Sequence, residues 1–490
     1  MIRLKGVQPV WEKSIIDFDR TTANLDIEAP VRREVVFECD KPWEGDAHRY
    51  ITVIKDEDKY KLYYLAHFQH DEKLEEGENT DGTTVMILNS FVCYAESDDA
   101  INWVKPSLGI CEWNGNKDNN ILLRSVDKPE KGGFFDNFFV FIDTNPNCDP
   151  SEKYKALAYM NLYKLGTYVS GDGIYFKYKT TFDIPGHFDT HNVCWWDEKI
   201  GKYVAYVRVI YSIPGDDINA GIRGIAKIVS DDFANWSEPE IITFDDGNVY
   251  PLYTNSIRRY YRNPDIFIGL PTRYMERPEW NHNFEQLCGK EMRLEKMKHH
   301  KRYGLTVTDC IFMCSRDGLH WDKYDEAIFT PGMEFEGNWV YGNCYNPYYM
   351  EEIAGENGNK EISLYMSQYY SPKLLLGRSE GLIDKTYRYT LRRDGFAAFR
   401  AKYSGAKVVT KPFIFEGNEF YINFSTSARG SVYITIRDNE GNSARTCELF
   451  GDSDERNVNF ENARTDDFAG KEVTLEFEMK DAKLYSFLFK

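Results

Sequence analysis

Four copies of one seven-residue pattern constrain this chain more than any other feature: SDDAINW (97–103), SGDGIYF (170–176), SDDFANW (230–236) and SRDGLHW (315–321). Taken alone, SRDGLHW looks like a catalytic cluster, with a Ser, an Asp and a His in seven residues. Its recurrence argues for architecture instead. Three copies end in Trp and one in Phe, a degenerate SEGL follows at 379–382, and successive copies start roughly 60 to 85 residues apart. That spacing suits a four-stranded blade with loops of variable length. Ser and Asp cap backbone N–H groups in tight turns, and Gly takes a positive φ there. The motif therefore reads as the turn between the third and fourth strands of a blade (C and D), with its aromatic packed between blades.

A second repeat runs in phase with the first. YITVIKDEDKYKLYYLAHF, FFVFIDTNPNCDPSEKYKALAYM, NVCWWDEKIGKYVAYVRVI, SIRRYYRNPDIFIGLPTRY and YYMEEIAGENGNKEISLYM each read as strand, polar turn, strand. Five such units predict an all-β chain: a five-bladed β-propeller over residues 33–393, preceded by an arm (1–32) and followed by a β-sandwich (394–490). A–B and C–D connections share one face of a propeller and are short here. B–C and D–A connections share the other and carry the long segments 70–90, 212–221 and 275–304, the last expected to be partly helical. Long loops on one rim shape binding sites, so a substrate is expected at the starts of the A strands, away from the repeated turn.

Charge and composition narrow the ligand. With 60 basic against 78 acidic residues the net charge is −18, which argues against nucleic acid or an anionic membrane surface and for a neutral substrate. Aromatic residues make up 15% of the chain; most serve the core, and a surplus can stack on sugar rings. Ten scattered cysteines lack zinc spacing, and Cys310 and Cys314 read as core thiols on one strand face. Reduced thiols and a start, MIRLKGVQPVWEK, without an apolar signal core predict a cytoplasmic protein. His187 and His191 are four apart in HFDTH, but on a strand-like segment where helical metal-ligand spacing does not apply. No metal site or cofactor is expected from the residues.

Polar residues at the A-strand starts converge on the axis and form the candidate site: Glu44, Asp46 and His48; Asp136 and Asn137; Asp189, His191 and Asn192; Tyr253, Thr254 and Asn255; Asn338, Trp339 and Asn343. Asp309 and Arg273 border the same rim. Each carboxylate has a plainer reading as a turn cap. Several converging from different blades is nonetheless what glycosidic cleavage needs, one protonated to release the leaving group and one ionised to attack or activate water. Asp189, beside Phe188, Trp195 and Trp196, is the strongest single case.

The five-bladed pattern, the repeated turn and the C-terminal strands resemble the glycoside hydrolase superfamily of invertases, levanases, arabinanases and β-xylosidases. Within it the chain most resembles a set of bacterial invertase- or arabinanase-like propeller proteins, whose recurring motifs match Pro42–Gly45, Phe188–Asp197, Leu252–Asn255, Thr308–His320, Arg393–Phe396 and Lys480–Phe487. The resemblance implies carboxylate catalysis on an oligosaccharide, and the superfamily's structural cation in the central channel stays open for this chain. The invertase motifs WMNDPNG, RDP and EC are absent, so roles rest on the matching positions: Asp189 as base or nucleophile, Glu44 as general acid, and Asp309 or Asp136 as the group that tunes the acid. Asp46 and Glu336 are in reserve. Tyr253, Asn255, Arg273 and Trp339 would hold hydroxyls or stack on a ring, with His48, His191, Asn192 and Asn343 beside them. Two alternatives stand: a phosphorylase using Arg258, Arg259, Arg262, Arg273, Arg277 and the HHKR run (299–302), or a non-catalytic carbohydrate-binding propeller.

Overall fold

Strand Val31–Glu38 closes the ring: it pairs antiparallel with Lys385–Arg392 as the outermost strand of blade 5, beside Lys360–Gln368 and Met350–Ala354. This computed structural model describes residues 2–45, 47–67, 75–78, 84–87, 90–124, 137–160, 164–182, 184, 188–211, 221–248, 250–299, 301–335, 337–355, 358–368 and 384–490. Blade 1 comprises Ala47–Asp56, Lys59–His67, Ser90–Ser97 and Ile121–Arg124; blade 2, Phe138–Ile142, Tyr154–Met160, Lys164–Ser170 and Lys177–Thr181. Blade 3 comprises Val193–Asp197, Lys202–Tyr211, Ile222–Ser230 and Glu240–Ile241. SEGL lies outside the described residues, and it precedes strand C of blade 5 instead of following it. That blade takes its outer strand from the N-terminus, so the repeat has no fifth turn to mark.

Each of the four repeated turns is a closed hydrogen-bond unit. In SRDGLHW the Asp317 carboxylate accepts from the backbone N–H groups of Leu319 and His320 at 2.7 and 2.8 Å, and Ser315 Oγ accepts from Gly318 at 2.9 Å. Asp99, Asp172 and Asp232 accept the same pair of N–H groups in their copies. Carboxylates that receive backbone donors favour their ionised form. Burial works the other way, but the Asp317 side chain, held also by His320, ends at about 2. The fourth residue of each copy has positive φ, whether Gly173 (78°), Gly318 (74°), Ala100 (54°) or Phe233 (62°). A tyrosine of the neighbouring blade closes on three of these turns, Tyr365 donating to Ala100 O as well, and at the two glycines it comes close enough to exclude a side chain. Tyr63 Oη donates to Gly173 O and Tyr206 Oη to Gly318 O, both at 2.9 Å, and a Cβ at either glycine would sit within 2.7 Å of that hydroxyl.

Blade 4 departs from the expected four continuous strands. Strand Asn263–Gly269 ends at Leu270–Pro271, and the chain resumes as Thr272–Glu276, paired with Thr306–Cys310 on one side and bridged to Leu252 on the other. Pro271 has no N–H for the ladder, so the blade breaks there and the upper hairpin bends away as a separate two-stranded sheet. Cys310 and Cys314, read as one strand face, fall on either side of this break; both are buried. The insertion that follows contains helices His282–Gln286, Lys290–His299 and Lys301–Leu305.

The C-terminal strands form an 11-stranded sheet built on the long antiparallel pair Phe420–Asp438 and Val473–Phe489. Segments Ile2–Arg3, Gln8–Pro9 and Asn24–Ile27 of the N-terminal arm join this sheet. Trp11, fully buried, packs edge-on against Tyr260 and Phe312 of blade 4 and against Phe396. Its Nε1 donates to the carbonyl of Asp394, whose carboxylate takes Tyr260, Arg262 and Ser486. The RDGF motif is therefore the joint between propeller and C-terminal sheet.

Candidate functional site

Residues from all five blades meet at the axis. Tyr50 of blade 1 stacks on Tyr345, which leads into blade 5, at 6.4 Å; Phe139 of blade 2 meets His191 at 5.3 Å; Tyr253, entering blade 4, stacks on Tyr345 at 5.3 Å and on Tyr274 at 5.9 Å. Tyr341 closes the group edge-on to Tyr253 and Tyr274. Four non-glycine residues on these D–A connections and strand starts, Tyr50, Ser256, Trp339 and Cys344, hold positive φ between 46° and 57°. Such conformations are costly and collect at functional sites.

Asp189 is the carboxylate at this tyrosine wall. Its side chain is 44% exposed; Arg208 Nη2 lies 3.1 Å from one oxygen, and Tyr253 Oη donates to the other at 3.5 Å. Arg208 itself is almost wholly buried, on strand Lys202–Tyr211. Burial opposes its charge, but Asp189 outweighs it and holds the guanidinium above its ordinary value. Trp195 and Trp196 do not enclose Asp189. They pack against Tyr206 and Tyr203 further along blade 3.

The structure places the other expected carboxylates elsewhere or outside its described residues. Glu44 is completely buried, takes Tyr64 and the Lys41 N–H, and lies 2.7 Å from Lys105 Nζ, so it is a neutralised internal ion pair and not an acid open to a ligand. Asp309 is gripped by Arg273 through two bonds, at 2.9 and 2.6 Å, as its cross-strand neighbour. Side chains alternate along the Thr272–Glu276 and Thr306–Cys310 pair. Tyr274 and Thr308 take the buried face, so Asp309 and Arg273 take the opposite one, away from the tyrosines. Asp136, Asp46 and Glu336 lie outside the described residues.

Most of the expected polar contacts turn out to be scaffold. His48 shares a 2.7 Å hydrogen bond with Thr386, and His191 a 3.0 Å bond with Thr52; burial, aided by Lys105 and Arg258 respectively, pushes both imidazoles down to about 3. Asn192 and Asn255 bridge backbone: Asn192 accepts from Arg208 N and donates to Phe188 O, and Asn255 accepts from Ile257 N and donates to Tyr206 O. Asn137 does the same for blade 2. Trp339 spends its indole N–H on Gly332 O at 2.7 Å, while its own carbonyl takes Arg293. Asn343 is different. It is 1% exposed, and neither amide atom has a hydrogen-bond partner among the described residues.

The arginines expected to form a phosphate pocket are dispersed. Arg259 pairs with Asp197, Arg262 with Asp394 and Arg273 with Asp309, and Arg258 stacks on Tyr348 at 3.8 Å. Two arginines missed in the sequence stand at the tyrosines instead. Arg208 and Arg223 lie on neighbouring strands of blade 3, where Arg208 pairs with Ile225 and Ile210 with Arg223, so both project from the same face. The signal was present: in KYVAYVRVIY a charged residue occupies a position that the period-2 pattern assigns to a packed face. Among the described residues no group of three or more His, Cys, Asp or Glu side chains is placed to hold a metal ion, and no helix is long and apolar enough to cross a membrane.

Fold and site together define an all-β chain, a five-bladed propeller whose axial tyrosines pack beside a single described carboxylate, Asp189. No family model matches the chain, and no curated protein sequence matches it. Solved structures are similar at low identity. An N-acetylgalactosamine deacetylase from F. plautii, in complex with blood group B trisaccharide, shows 10% identity over 76% of this chain and 96% of its own, with a TM-score of 0.45. A family 43 arabinoxylan arabinofuranohydrolase from Bacillus subtilis, in complex with cellotetraose, shows 10% identity over 94% and 99%, with a TM-score of 0.39. A glycoside hydrolase of the family of mannoside phosphorylases, described as targeting β-1,2 mannosidic linkages in Candida mannan, shows 10% identity over 80% and 97%, with a TM-score of 0.40.

Proposed function

We propose that the chain is a carbohydrate-active enzyme that cleaves a glycosidic bond in the axial cleft, with Asp189 as the ionised carboxylate. One observation carries this reading: a half-exposed carboxylate, fixed by a buried arginine and a tyrosine hydroxyl, at the foot of a stacked tyrosine wall. The ion pair with Arg208 favours the charged form that a base or nucleophile requires. Tyr253, Tyr345 and Tyr274, buried and stacked on one another, form a packed aromatic backing beside that carboxylate. The proton donor remains to be supplied by a second carboxylate, for which Asp136, Asp46 and Glu336 are the candidates from sequence.

The test is hydrolysis of a panel of oligosaccharides by the full chain and by Asp189→Asn. Loss of turnover by roughly 10²- to 10⁴-fold, with binding kept, supports the reading. Undiminished turnover in Asp189→Asn refutes it. A second reading, a binding propeller without turnover, is favoured by the fact that Asp189 is the only carboxylate among the described residues placed at this wall. Binding without cleavage by the wild type across the panel would establish that reading instead.

A further inference from the structure

Arg223 is a buried cation without an anion. It is 8% exposed, its Nε has no acceptor, and no carboxylate among the described residues lies within ion-pair distance of it. Its guanidinium carbon sits 4.6 Å from the Tyr274 ring centroid and 6.0 Å from that of Tyr253. Arg208 approaches the same Tyr253 ring at 5.5 Å. Two guanidinium groups thus flank one tyrosine, and Asp189 pairs with one of them, Arg208.

Cation–π contact recovers part of the cost of burying an arginine, but a ring face accepts none of its five N–H donors in the plane of the fork. Several other buried arginines find oxygen partners for their terminal nitrogens. Arg293 donates to the carbonyls of Gly304 and Trp339, Arg259 is paired with Asp197, and Arg262 with Asp394. Arg258, stacked on Tyr348, also has an Nε without an acceptor, but Arg223 is the one that lies beside Tyr253 and Tyr274. The planar fork matches a carboxylate or phosphate through two parallel hydrogen bonds.

We propose that Arg223, beside Arg208, is an oxyanion subsite of the cleft, so that the saccharide handled here bears an acidic group or is handled together with inorganic phosphate. The inference rests on the cleft being a sugar site, and its test separates the two.

The experiment is calorimetric titration of the full chain, at constant ionic strength, with sodium glucuronate, inorganic phosphate and a neutral oligosaccharide panel. Wild type, Arg223→Met, Arg223→Lys and the control Arg259→Met are compared, with thermal unfolding confirming that each is folded. The expected result is binding of at least one oxyanion by wild type. Arg223→Met should weaken it about tenfold or more, Arg223→Lys should restore it in part, and Arg259→Met should leave it unchanged. Glucuronate binding assigns an acidic sugar; phosphate binding, with glucuronate ignored, assigns phosphate as the partner. If wild type binds neutral sugars but neither oxyanion, or if Arg223→Met binds as wild type does, the subsite is refuted and the sugar cleft stands. If phosphate binds through Arg223 and no saccharide binds, the subsite stands and the sugar reading falls.

Discussion

Lys105 Nζ lies 2.7 Å from the carboxylate of Glu44, which has no solvent exposure, and the same lysine reaches the Glu38 carbonyl and Asp40. Removing one member of a buried pair strands the other charge, at a cost of about 3–5 kcal/mol. Lys105→Met and Glu44→Gln should therefore each lower stability by several kcal/mol, and the double variant should recover much of the loss. Urea denaturation of the four proteins measures this. A Glu44→Gln protein as stable as wild type but without turnover would instead return Glu44 to the role of general acid.

The Tyr206–Gly318 contact makes a second prediction. Gly318→Ala must hold an L-residue at φ 74° and place a methyl against the Tyr206 hydroxyl. Strain and overpacking together should cost roughly 2–4 kcal/mol, and Tyr206→Phe in the same chain should return part of it. At the equivalent position of blade 1, Ala100 holds φ 54°. Ala100→Gly should be close to neutral or stabilising, since relief of αL strain offsets the added chain entropy. Thermal unfolding of the variants decides both.

Acid sensitivity should begin near the ordinary histidine range. Burial depresses both His48 and His191 to about 3, whereas in the unfolded chain each titrates near 6.5. Below about pH 6.5 the unfolded state takes up protons that the folded state refuses, so stability is full above that pH and falls steadily towards pH 3. At pH 5 each histidine accounts for about 2 kcal/mol of the loss. Denaturation midpoints from pH 7.5 to 5 should fall, and His191→Asn should flatten the slope.

Trp11→Ala tests the joint. Deleting an indole packed on Tyr260, Phe312 and Phe396 should cost about 3–5 kcal/mol. It should also split calorimetric unfolding into two transitions, one for the propeller and one for the C-terminal sheet. A single transition shifted as a unit would show that the two are coupled by other contacts.

The blade register was legible because the repeated turn is stabilised within itself: Asp317 reaches residues two and three positions ahead, and such bonds leave a local signature. The burial of Glu44 was not legible, for the opposite reason. Its partner Lys105 is 61 residues away, and nothing near PWEG announces a lysine. The ion pair of Asp309 was hidden in the same way, since Arg273 meets it only once the hairpin pairs. The asparagines at the A-strand starts recur because backbone there needs bridging, so their repetition pointed to architecture and not to a ligand. Arg208 and Arg223 were visible as charges on packed strand faces, and that conflict between pattern and residue type marks the cleft better than any acidic motif did.

The closing strand Val31–Glu38 has a consequence for how the protein is made. Its partner, Lys385–Arg392, lies more than 340 residues later, and the first arm segments, Ile2–Arg3 and Gln8–Pro9, wait for Phe413–Ile414 and Val473–Phe489. On the ribosome, the opening residues emerge first and must remain without their sheet partners until almost the whole chain has been released. Neither the ring nor the C-terminal sheet can be completed by a nascent chain, so translation leaves exposed strand edges for most of its duration. Such a protein should depend on holding chaperones during synthesis, and a truncation of even its last blade should leave the first 38 residues with nothing to join.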